Sequence, residues 1–290
     1  MYGYFYERNF TGGFPYTDLA LERRRADTDI DGVSYRREES LGGCWERIKI
    51  TSDIGAASIG RPKGVYDTLL TKRMDLLDRE EIEDATEELA RELCYMCEVC
   101  GVSPERLLIV GLGNSELTPD SIGARSAGRV KATMHIKEID EALFNSLECS
   151  EIAVMRPSVA SVSGMDALTG VMGVSNMILP DAIIAIDALA TRSVERLGTT
   201  VQVSSTGIQP GSGLGNSGRY ISEATLGVPV IALGVPTVID SRMLNPTAGE
   251  TNGGSAATAM FVSPKEIDEI VAVGAEIIGG AINQAFGLYS

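Results

Sequence analysis

One histidine, His135, serves the whole chain of 290 residues, and that scarcity removes the histidine-based devices first. A zinc site of the H-E-x-x-H kind needs two. A serine–histidine triad also needs a G-x-S-x-G turn that is missing here, so His135 reads as a structural residue. No P-loop with its lysine occurs, the turn Gly111-Leu112-Gly113 lacks the third glycine of the dinucleotide fingerprint, and paired D-T-G triplets of the two-lobed pepsin type are absent. Basic side chains are the minority, 25 against 40 acidic, and the resulting formal charge of −15 repels phosphate backbones. Direct contact with nucleic acid is therefore not expected. No apolar run approaches the ~20 residues of a membrane span, and Met1 to Tyr6 lack the charged and apolar blocks of an export signal. The expectation is a cytoplasmic protein with no membrane contact.

Five cysteines, an odd number, fit reduced thiols better than a disulfide framework. Cys94, Cys97 and Cys100 are spaced by three, but a fourth ligand of suitable spacing is missing. They read as buried apolar side chains, and neither metal nor cofactor is expected.

What is present is an alternation of buried-strand and helix patterns. Residues 107–110, 152–155, 182–186, 200–204 and 228–234 are short, β-branched runs of the kind buried on both faces of a sheet, with Pro229 placing the last at an edge. Residues 44–50 and 65–70 read as a pair of half-exposed strands. Helices are expected over 78–100, closing at Gly101, over 165–179, over 188–197, and from a capping box at residues 263–266 to about Phe286. Thr118 and Pro119 open another that continues through Arg129. Residues 1–40 read as an arm or surface helix, with Thr17 or Asp18 as a cap and a weak apolar face at Leu19 and Leu21; residues 240–261 read as a glycine-rich connection. The fold class is α/β, a mostly parallel or mixed sheet with helices on both faces.

With the other devices removed, carboxylates remain for acid and base work. Asp187 follows the apolar run 182–186, and Asp120 follows the strand 107–110 and its glycine turn; open α/β sheets place their chemistry at such strand ends. If the strands are neighbours, repulsion and burial raise one carboxyl pKa and leave the other ionised. The alternative is that Asp187 caps the next helix and Asp120 favours a helix dipole. Arg192, Glu195 and Arg196 stand behind Asp187, either orienting it or fixing a helix. Asn114 and the loop Gly211-Ser212-Gly213 either donate hydrogen bonds to a substrate backbone or oxyanion, or form a tight turn.

Several collinear stretches complete the pattern: Thr17 to Glu22, Val110 to Asn114 with Thr118 to Asp120, Ile184 to Arg196, Thr206 to Asn216, Leu226 to Thr237, and Val262 to Glu266. In these the chain resembles the germination proteases of endospore-forming bacteria, endopeptidases that degrade small acid-soluble spore proteins. The resemblance implies an aspartic-type peptidase with a fold similar to the hydrogenase-maturation proteases, made as a zymogen, assembled as a homotetramer and held in the forespore and spore core. It carries the family's catalytic aspartates onto Asp120 and Asp187, and the family's self-removal of an amino-terminal peptide onto the bond between Asp18 and Leu19. Residues 1–18 then form a propeptide arm and 19–290 a single peptidase domain. Three departures accompany it: Tyr16 where an arginine is expected, a shortened region over 238–260, and a diverged stretch over 158–170. Two alternatives of the same fold are a hydrogenase-maturation-like processing protease and a catalytically silent oligomeric binding protein.

Overall fold

A computed structural model describes residues 17–23, 30–211, 219–244 and 260–288. Among these residues nine strands join one mixed sheet: β1 (Val33–Ser40), β2 (Gly43–Ile50), β3 (Gly64–Leu70), β4 (Arg106–Gly111), β5 (Glu151–Met155), β6 (Ala182–Thr191), β7 (Thr200–Ser204), β8 (Val230–Asp240) and β9 (Phe261–Val262). Their order is β1-β2-β3-β7-β8-β6-β4-β5, with β9 added to the far end of β8. The half containing β8, β6, β4 and β5 is parallel, and the half from β1 to β7 is antiparallel. The α/β class and the mixed sheet match the sequence pattern.

Both faces are covered. On one, α2 (Arg79–Val99), α3 (Ile122–Ala127) and α9 (Ile267–Phe286) pack over Leu107, Ile109, Ile184, Ile186 and Leu233. On the other, α7 (Ala167–Ile178) sets Leu168 and Val171 against Leu108, Val110, Ile183 and Ala185. The period of two along a strand therefore sends Asp187 to the α7 face, the side of Ile183 and Ala185. Helix α2 starts from Asp78, which with Glu81 completes a capping box, and ends before Gly101, as its sequence predicts. Cys97 is buried beneath it and Cys94 exposed, and burial lifts the Cys97 thiol to about 12 and the Cys100 thiol to about 11. Such thiols stay protonated, in keeping with the apolar reading.

Several elements differ from expectation. The helix expected over 188–197 does not form: β6 runs on to Thr191, and only a single 3-10 turn, Val194–Arg196, follows. Ala188, Leu189 and Ala190 favour helix in isolation, but β8 extends alongside them and tertiary pairing prevails. That strand is internal, not an edge, and it tolerates Pro236 because the register slips between Leu189 and Ala190. The helix expected from Pro119 to Arg129 is broken into a 3-10 turn, Thr118–Asp120, and the short α3, and Thr118 makes no side-chain cap. Helix α9 starts at Glu266 without a side-chain cap, so the box at 263–266 is not made. At the other end of the chain β1 and the helix α1 (Asp53–Ile59) were not foreseen. Residues 17–20 form no surface helix; they are buried, with Leu19 fully enclosed, and only a 3-10 turn, Leu21–Arg23, follows them. His135 lies exposed on α4 (Met134–Ile139).

Candidate active site

Asp187 stands within β6, not at its end, yet it lies just past the point where its neighbour stops. The β4 ladder against β6 ends at Gly111 opposite Ile186, and the Leu112 N–H adds a bond to the Ile186 carbonyl at 2.8 Å. Here the β4 chain turns away through Gly113, whose positive φ of 90° suits glycine and whose α-carbon leaves no room for a side chain beside the Asp120 carbonyl. That turn brings Asp120 back toward the strand it has just left.

The loop carrying Asp120 is fixed from three sides. The Asn114 N–H donates to Asp120 Oδ2 at 2.9 Å, and the Asn114 side chain itself accepts from the Glu116 N–H at 3.0 Å. The register slip in β8 frees Thr237, whose hydroxyl donates to the Pro119 carbonyl at 2.6 Å. Behind them α3 touches the sheet through Gly123, where a β-carbon would stand 2.2 Å from the Ile186 carbonyl oxygen and 2.5 Å from that of Leu112. Both obstacles are backbone, so Gly123→Ala is expected to push α3 off the sheet at a cost of about 1–3 kcal/mol. Denaturant unfolding checks the stability loss.

Electrostatics separate the two carboxyls. Asp187 is 4% exposed, and burial raises its pKa well above the ordinary carboxylate value; the charges of Asp120 and then Asp18 push the same way. The Ala188 and Gly211 N–H groups oppose that rise by bonding the Asp187 carboxylate. Asp120 is half-buried; desolvation raises its pKa, and the Asn114 N–H pulls it back. Of the pair, Asp187 is the one that keeps its proton as the pH rises. Because Asp18 contributes to this, Asp18→Asn is expected to lower the Asp187 pKa; carboxyl carbon NMR read against pH measures the displacement, and an unchanged midpoint counts against it.

Asp18 and the residues beside it form a third side of the site. Glu22 accepts from the Arg192 N–H at 2.8 Å, from the Ser193 N–H at 3.2 Å and from the Thr191 hydroxyl, and Thr17 donates to it at 2.5 Å. Arg196 lies 4.0 Å from Glu22 and 3.4 Å from Glu46. These contacts fix the end of β6 to the amino-terminal segment. Arg192 and Arg196 thus anchor backbone and charge around Glu22, Glu195 is exposed, and the hydrogen bonds of the Asp187 carboxylate come from Ala188 and Gly211. Gly211, for which a substrate contact and a tight turn were the alternatives, gives its N–H to Asp187; Ser212 and Gly213 lie outside the described residues. Glu22, Arg61, Gln202 and Thr237 were not singled out in the sequence, since each acts through partners remote in the chain.

A family described as germination protease matches residues 16–248. A germination protease of Caldanaerobacter subterraneus subsp. tengcongensis is 40% identical over 78% of this chain and 69% of its own length. For that of Bacillus mycoides the figures are 38%, 78% and 63%, so this chain spans less than two thirds of that relative. The germination protease of Clostridium acetobutylicum is 33% identical over 93% of this chain and 94% of its own. Among solved structures, the NiFe hydrogenase maturation protease HycI from Thermococcus kodakarensis KOD1 aligns over 63% of this chain and 96% of its own at 15% identity, with a TM-score of 0.33. No helix among the described residues is long and apolar enough to cross a membrane.

Proposed function

Since the chain belongs to the germination protease family, we propose that it is an aspartic-type endopeptidase that hydrolyses small acid-soluble spore proteins, with Asp120 and Asp187 as its acid–base pair. The observation that carries the reading is the buried Asp187, raised in pKa by its surroundings and by the charge of Asp120. In this reading ionised Asp120 takes a proton from the attacking water while protonated Asp187 gives one to the leaving amine. Return of the proton from Asp120 to Asp187 then resets the pair.

Residues 1–18 act as a propeptide in this reading, cut from the rest between Asp18 and Leu19. Support comes from the position of Asp18, near enough to Asp187 to raise its pKa, and from the burial of Thr17, Asp18, Leu19 and Ala20. In this reading the segment covers the place beside the pair, and its departure opens the pair to substrate. The homotetramer is supported by apolar side chains left open around α7, with Met177 84% and Leu179 70% exposed. Action on spore proteins places the chain in the forespore and spore core. A time course with purified small acid-soluble spore protein, in the presence of chelator, tests the activity: fragments are expected, and a stable complex without fragments counts against the peptidase.

A further inference from the structure

Strand β8 touches both halves of the carboxyl pair. Its Gly234 stands opposite Asp187 in the ladder with β6, and a few residues further on the register slips. Leu189 pairs with Pro236 and Ala190 with Val238, so Thr237 is left opposite no residue of β6. Bulges of this kind re-aim a side chain, and they recur beside active sites. Thr237 is fully buried, and a buried hydroxyl is costly unless it is hydrogen-bonded. Its bond goes to the Pro119 carbonyl, at 2.6 Å.

The need on the other side of that bond is equal. A 3-10 turn leaves its last carbonyls without partners inside the turn. In the turn Thr118–Asp120 the Thr118 carbonyl takes the Ser121 N–H at 3.1 Å and the Ser121 hydroxyl at 2.9 Å, whereas the Pro119 carbonyl takes Thr237. The Pro119 carbonyl and the Asp120 N–H belong to one planar peptide group. That N–H donates to the Leu117 carbonyl at 2.8 Å, so the peptide leading into Asp120 is pinned at both ends. Gly113, on the near side of the loop, has no side chain with which to hold it; a β-carbon there would stand 2.0 Å from the Asp120 carbonyl oxygen.

Resting on the peptidase reading above, we propose that Thr237 is a positioning residue: its hydroxyl, aimed by the bulge in β8, fixes the peptide before Asp120 and so sets the spacing of Asp120 and Asp187. Spacing is what the reaction depends on. Both carboxyls exchange protons with one reacting group, and a misplacement of about 1 Å costs on the order of 100-fold in rate. The charges of Asp120 and, from the amino-terminal segment, of Asp18 are those that raise the Asp187 pKa. Loosening the Asp120 turn withdraws the first of them.

Thr237→Val removes the hydroxyl and keeps the shape, and Thr237→Ser keeps the hydroxyl. In the full chain acting on purified spore protein, Thr237→Val is expected to lower kcat by at least ~10-fold and to leave KM within about 2-fold. The alkaline limb of its pH profile should move to lower pH, because Asp187 then gives up its proton sooner. Carboxyl carbon NMR, recorded without substrate, should show the Asp187 midpoint moving the same way. Thr237→Ser should restore the wild-type kcat and midpoint. An unmoved kcat, an unmoved midpoint, or a serine variant as impaired as the valine one overturns the proposal. If Thr237→Val does not fold, Thr237→Ala gives the same readings, and failure of both to fold overturns it too, because the hydroxyl then serves the fold alone. Wild-type chain that cleaves no spore protein removes the peptidase reading, and the NMR midpoint still decides whether Thr237 places Asp120.

Discussion

Asp187→Asn is expected to lower peptide-bond hydrolysis by about 1,000-fold or more while making the fold more stable. The two effects have one origin. Asp187 sits 4% exposed, near Asp120 and Asp18, so its ionised form is costly inside the folded protein. Asparagine preserves the shape and cannot ionise, but it can neither give nor take a proton in the reaction. The pH dependence follows from the direction of the shift. A carboxyl whose folded pKa is raised above the ordinary value stabilises fully only below that ordinary value, and the contribution is lost as pH rises through the raised one. The advantage of the variant in thermal unfolding should therefore grow as pH rises above the ordinary carboxylate range. Hydrolysis of spore protein and the two melting curves measure both halves; a variant that retains full activity removes Asp187 from the chemistry.

Much of this site is legible in the sequence because its parts are local. The run 182–186 and the run 107–110 are each apolar on both faces, and each delivers an aspartate close behind. What the sequence hides is where those strands end. Ala188, Leu189 and Ala190 carry helix propensity, and only the extended partner β8 and the contact with Asp18, 172 residues away in the chain, keep them in strand. The same distance conceals the meaning of Thr17 to Glu22. Their polar side chains look like a helix cap in isolation, but the carboxylates of Asp18 and Glu22 find partners on β6, in the turn after it and at Arg61, and the Thr17 hydroxyl donates to Glu22. Strand β1 is hidden for a different reason: four of its eight residues are charged, and its apolar face is too sparse to announce a strand.

Arg47→Met is expected to destabilise the fold by about 3–5 kcal/mol, with a fall in melting temperature on the order of 10 °C. Arg47 on β2 reaches Asp67 of β3 at 2.5 Å and Glu92 of α2 at 2.6 Å, with Glu38 of β1 on its Nε at 3.1 Å. The guanidinium also lies over the rings of Trp45 and Tyr95. Asp67 and Glu92 are almost wholly buried, and the remaining oxygen of each has no other hydrogen-bond partner among the described residues. One proton resolves this: burial, together with Asp67 as neighbour, pushes Glu92 up to about 8, so that a protonated Glu92 donates to Asp67 while Arg47 balances the remaining charge. Losing the arginine leaves that carboxylate buried without its counter-charge, so the penalty exceeds that of an exposed ion pair. Glu92→Gln separates the proton from the shape. Wild-type stability should fall as pH rises from the ordinary glutamate value of 4.5 to about 8 and level off above it, because the folded protein holds over that range a proton the unfolded chain has lost. The amide variant, having no proton to lose, should show little of that fall in denaturant titrations. An equal fall in both proteins would place the pH sensitivity elsewhere in the molecule.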